Sequence, residues 1–137
     1  MTHLYVARSK TLTEWASDVG LSKHIYKLGL TADAAKPAIE NADWCGMTDW
    51  SLVKATPCDL AVEDEEAVIR RIAAKEKMID PSLYPKLKGQ LGVFKVLPAH
   101  VESHIVVGKA LDGNFDVAKL KLKPADFAAY LFANALR

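Results

Sequence analysis

Four short runs of strand-forming residues, at 3–8, 24–30, 51–56 and 93–97, are separated by segments of helical character. Strands this short bury their apolar faces by pairing into one sheet and having helices laid against it. The pattern therefore predicts an α/β (α+β) fold with a small central sheet flanked by helices. At 137 residues the chain has the size of one domain with one core, read as 1–137. Half of it is apolar and 26% is charged, a globular composition without the signature of disorder.

The helical segments carry their own signals. Thr11 or Thr13 is expected to cap a short helix through Trp15 to about Asp18, which Gly20 ends. Residues 31–42 are alanine-rich, and Pro37 moves the expected helix start toward itself, because a proline disfavours the α conformation at the residue before it. Pro57 is expected to stop the third strand. The clearest helix spans about 60–77, with Glu63, Asp64, Glu65 and Glu66 early and Arg70, Arg71, Lys75 and Lys77 late, in the sense that complements the helix dipole. A loop punctuated by proline and glycine follows over 79–90. Pro98 opens a helix to about Ala110, Lys119 to Lys123 alternate with period two as an exposed strand would, and 125–136 suit a closing helix.

No run of about 18 apolar residues is present, which predicts no membrane span. The first ten residues lack the basic and apolar regions of a signal peptide, and the expected location is cytoplasmic. Cys45 and Cys58 form no C-x-x-C pair and have no histidine at zinc-ligand spacing, so buried free thiols are expected. The net charge of +1 restricts any phosphate-binding face to a local patch.

One carboxylate stands out. On a helical wheel Val62, Val68, Ile69, Ile72 and Ala73 share a face, and Glu65 falls near its middle. Such a carboxylate must be paired, protonated or bound to a cation; the alternative is a helix that begins near Glu65, so that the side chain reaches water.

Glu65-Glu66-Ala67-Val68-Ile69-Arg70 resembles the helical motif of the GIY-YIG nuclease superfamily: a glutamate, two variable residues, two aliphatics and a base. Leu4-Tyr5-Val6 resembles its first-strand element. Lys27-Leu28-Gly29-Leu30-Thr31 resembles its second, in the phage-type form with KIG in place of YIG. Gly92-Val93-Phe94-Lys95-Val96 resembles a late strand of that branch. The elements occur in the family's order over 3–97, which leaves 98–137 as a C-terminal helical extension.

The resemblance implies a mostly antiparallel sheet and metal-dependent hydrolysis of DNA phosphodiesters. Glu65 would hold one divalent ion, magnesium or manganese, while Tyr5, Tyr26, Lys27 and Lys36 supply the catalytic groups and Lys36 and Arg70 contact nucleic acid. The chain departs from the family at three points. Lys27 occupies the place of the second tyrosine, with Tyr26 beside it. Lys36, followed by Pro37, stands where the family has an arginine, and a lysine lacks the bidentate fork. The spacing between the first two motifs is also longer, since it holds the Trp15 helix. The competing reading is a non-catalytic module of phage or mobile-element type that kept the fold and binds nucleic acid or a partner protein.

Three further groups have two readings each. His3, Tyr5, His24 and Tyr26 would form an acid–base cluster if paired strands brought them together, or ordinary cross-strand packing. His100 and His104 lie one helical turn apart, a metal-site spacing, without the glutamate of an H-E-x-x-H motif. Trp44 and Trp50 would stack on bases or pack in the core.

Overall fold

The computed structural model describes residues 2–21, 23–32, 34–111, 113 and 122–136. Its organising element is β2 (Ile25–Thr31), in which every residue from Ile25 to Leu30 is buried. A strand with both faces covered must lie inside a sheet with layers on both sides. β2 pairs antiparallel with β1 (Thr2–Ser9) on one side and β5 (Val93–Lys95) on the other. β3 (Trp50–Cys58) and the two-residue β4 (Lys77–Met78) complete an antiparallel sheet in the order β3-β1-β2-β5-β4. The chain is thus an α+β protein with a small antiparallel sheet and helices on it.

The register decides which side chains meet. His3 pairs with Thr31, Tyr5 with Gly29 and Ala7 with Lys27, so odd residues of β1 share a face with odd residues of β2. On the opposite face Leu4, Val6, Tyr26, Leu28 and Phe94 form one core cluster with residues of α3 (Glu65–Ala73), α4 (Pro98–Leu111) and α5 (Pro124–Ala135). The odd face carries a second cluster, in which Tyr5, Ala7 and Ile25 meet Leu12 and Ala16 of α1 (Lys10–Asp18) and Ile39 of α2 (Ala35–Glu40). Phe127 of α5 ties the first cluster to the sheet, stacking on Tyr26 at 5.1 Å and on His24 at 4.9 Å.

Several boundaries differ from the sequence expectation for identifiable reasons. Ser9, not Thr11 or Thr13, caps α1, its Oγ accepting from Leu12 N at 3.2 Å. Pro57 does not stop β3. That strand lies at the sheet edge, where a residue without an N–H can face outward at no cost to the ladder. α2 takes Pro37 as its third residue, within the first turn, where the missing N–H has no intrahelical partner to lose.

The clearest predicted helix is the most altered. A 3-10 turn at Val62–Asp64 precedes α3, which runs only from Glu65 to Ala73. Lys77 and Met78 leave it to pair with Lys95 and Phe94. Within the expected loop at 79–90, Pro85–Leu87 form a 3-10 turn that buries Leu87. β5 ends at Lys95, short of the expected Leu97, although Val96 N still donates to His24 O. Of the alternating lysine segment, 119–121 lie outside the described residues. Lys123 is the extended residue that precedes α5, its N–H donating to Asp126 Oδ2 at 2.8 Å.

Phe127 is 2% exposed and joins α5 to β2, so Phe127→Ala should lower the unfolding free energy by about 3–5 kcal/mol. Urea denaturation followed by circular dichroism measures this. A loss under about 1 kcal/mol would mean that α5 is not anchored through this ring.

Candidate active site

The candidate site is built around Gly29. This residue sits on the odd face of β2, directly opposite Tyr5. A Cβ at this position would lie 2.6 Å from Tyr5 Oη and 2.9 Å from Glu65 Oε2. Glycine is therefore required for the phenol and the carboxylate to approach the strand from two directions.

Glu65 reaches this point because β5 is short. Leu28 N donates to Gly92 O at the end of the β2–β5 ladder, and the next N–H on that edge, Leu30 N, meets no strand among the described residues. Glu65 Oε2 accepts it at 2.9 Å. Both sequence readings of this residue hold in part. The helix does begin at Glu65, and the half-buried side chain is nonetheless held against the sheet.

Lys27 is the unusual member. It is 1% exposed, and its Nζ donates to Tyr5 Oη at 2.9 Å and lies 4.1 Å from the centroid of the Trp44 ring. Trp44 itself stacks on Tyr5 with ring centroids 5.5 Å apart. Burial pulls the Lys27 ammonium down to about 8, against the opposing pull of Glu65 and Cys45. Burial, and next the negative charge of Glu65, push the Tyr5 phenol upward. Of this pair the amine, not the phenol, changes charge near neutral pH.

Tyr5, Lys27, Glu65, Leu30, Trp44 and Gln90 are among the residues that line one cavity of about 170 Å³. Ligand pockets for drug-sized molecules run from roughly 300 Å³ upward. This one has room for a phosphate group and its water, not for a nucleoside.

The other sequence candidates lie elsewhere. Tyr26 points to the opposite face, into the cluster around Phe127. Neighbouring residues of a strand face opposite ways, so Lys27 and Tyr26 cannot both enter the cavity. For the same reason His24 and Tyr26 do not join His3 and Tyr5 in a four-residue cluster. Lys36 is exposed on α2, which presents Ala38 and Ile39 to the cavity instead. Arg70 is exposed and paired with Glu66 at 2.6 Å. Cys45 and Cys58 are free thiols, the first buried. Among the described residues no group of three His, Cys, Asp or Glu side chains is placed to enclose a metal ion.

Sequence reasoning did not place Trp44 or Gln90 in the site. Trp44 opens a 3-10 turn whose next residue, Cys45, has φ 59°, and this left-handed residue lets the loop fold back over Lys27. No spacing rule signals that reversal. No protein-family model, curated protein or solved structure matches the chain.

Lys27 should cost stability. Its folded-state value near 8 lies below the usual 10.5, so between those values the unfolded chain holds a proton that the folded chain has released. Stability from this group rises with pH across that window, and the penalty is complete below pH 8. Lys27→Met should therefore raise the unfolding free energy at pH 7 by about 1–3 kcal/mol, after allowing for the lost bond to Tyr5. The gain should shrink toward pH 10.5. Denaturant titrations of both proteins across pH 7–10.5 measure it, and a variant less stable at every pH would contradict a buried, charged Lys27.

Proposed function

We propose that this protein is a GIY-YIG-like nuclease that hydrolyses DNA phosphodiesters with the help of a divalent metal. The observation that carries the reading is the convergence at Gly29 of Tyr5 Oη and Glu65 Oε2, with Lys27 Nζ 2.9 Å from the phenol, in a cavity sized for a phosphate. Glu65 Oε2 is committed to Leu30 N, which leaves Oε1 as a donor to magnesium or manganese. A protein site with one carboxylate suits magnesium, which keeps most of its shell as water and substrate oxygens. When bound, the ion supplies Lewis acidity at the phosphate and the leaving oxygen.

The chain's own groups move the proton. Tyr5 hydrogen-bonds the attacking water and takes its proton while passing its own to the neutral amine of Lys27. The water oxygen bonds to phosphorus, the bond from phosphorus to the leaving oxygen breaks, and that oxygen is protonated from solvent. The lysine at this position thus becomes the general base for which its lowered proton affinity suits it. Lys36, outside the cavity, serves as a contact to flanking DNA.

The second reading, a non-catalytic module binding nucleic acid or protein, is favoured by one observation. Neither Lys36 nor Arg70 enters the cavity, so among the described residues no guanidinium is placed to clamp the scissile phosphate.

Nicking of supercoiled and branched DNA in magnesium or manganese separates the two readings. Glu65→Gln should lose at least about 100-fold in rate, whereas Lys36→Ala should lose less than about 10-fold, mainly in KM. The wild-type rate should climb with pH up to about 8 and then level, as the amine becomes neutral. Equal nicking by wild type and Glu65→Gln, or none by either, removes the catalytic reading. Salt-dependent DNA binding without cleavage supports the second.

A further inference from the structure

On the opposite side of the sheet a second polar cluster lies between the end of α3 and helices α4 and α5. Its base is Glu76, a carboxylate only 3% exposed. Oε1 accepts from Tyr130 Oη at 2.6 Å and pairs with His100 Nδ1 at 2.5 Å, and Oε2 accepts from Leu97 N at 3.2 Å. The carboxylate is thereby occupied by three internal partners, two at the start of α4 and one on α5.

What faces outward from this base is a set of donors. Lys75, His100, Ser103, His104 and Asn134 line a cavity of about 240 Å³ together with Tyr130. His100 has Nδ1 committed to Glu76, leaving Nε2, and His104 is held edge-on to Tyr130 at 5.6 Å. Asn134 is 7% exposed, and its Nδ2 is buried with no hydrogen-bond partner among the described residues. A buried amide donor without an acceptor is costly, and a ligand oxygen relieves that cost.

We propose that this cavity binds a phosphate group. The complement is an oxyanion with several acceptor oxygens, because donors are supplied from three places in the chain: the turn after α3, α4 and α5. A metal cation fits less well. The ammonium of Lys75 and the amide N–H of Asn134 both oppose it, and no group of three metal-ligating side chains is present among the described residues. The titratable groups around the cavity are Lys75 and Glu76 after α3, His100 and His104 on α4, and Tyr130 on α5. The site is separate from the Tyr5 cavity and does not rest on the nuclease reading.

The test is a titration of the full chain with inorganic phosphate at pH 6.5, read from the Asn134 side-chain amide and the two imidazoles by NMR. Saturable shifts at millimolar phosphate are expected. Affinity should fall at least 5-fold in Lys75→Gln, an exposed position whose replacement leaves the fold intact, and stay unchanged in Glu65→Gln. A short single-stranded DNA titrated in parallel identifies the source. Shifts of the same signals at lower concentration assign the cavity to a backbone phosphate, and shifts with inorganic phosphate alone assign it to a free one. No saturable shift up to tens of millimolar, equal shifts from chloride at matched ionic strength, or saturation by zinc in place of phosphate would overturn the proposal.

Discussion

The pairing of Tyr5 with Gly29 is the contact on which the rest of the candidate site depends. It fixes the parity of the two central strands, and parity determines that Lys27 shares a face with Tyr5 while Tyr26 does not. It also places the single residue lacking a side chain beneath the phenol. Any larger residue at 29 would force apart the phenol and the glutamate, because both oxygens occupy the space of its Cβ. A shift of the register by one residue would send Lys27 into the Phe127 cluster, where no hydroxyl or aromatic face of this cavity could receive its ammonium.

Much of the architecture is legible in the sequence because it depends on local rules. The first two strands follow from continuous strand-forming residues, and α4 opens at Pro98 as a proline in the first helical position predicts. The departures arise where distant residues decide. Nothing between 74 and 77 breaks a helix, yet the chain leaves α3 there, and Glu76 is drawn into the interior by Tyr130, His100 and Leu97. Pro57 reads as a breaker until the strand carrying it is known to be at an edge. The motif residues Tyr5, Lys27 and Glu65 were visible one by one; their convergence depends on register and on the length of β5, which neighbouring residues do not encode. Trp44 was visible only as a loop aromatic, since its place over Lys27 follows from a left-handed turn at Cys45.

The two faces of the sheet hold different chemistry. On the odd face a lysine is buried with a phenol, and its charge is opposed by desolvation. On the even side a glutamate is buried with every described partner a donor. A small domain tolerates such groups only when their partners are supplied by well-anchored elements. In the first case these are β1 and β2, and in the second α5, held through Phe127, and α4, which shares its core cluster.

Pro57 has one more effect. An antiparallel sheet of this kind ordinarily exposes two rows of unpaired amides, which can recruit strands from neighbouring chains. Here one border carries a residue with no amide hydrogen to offer, and the other border strand is two residues long. The β4 border is too short to template a strand, and on the β3 border Pro57 ends the row of available amides at Thr56, so recruitment of a neighbouring strand is limited by the outline of the sheet.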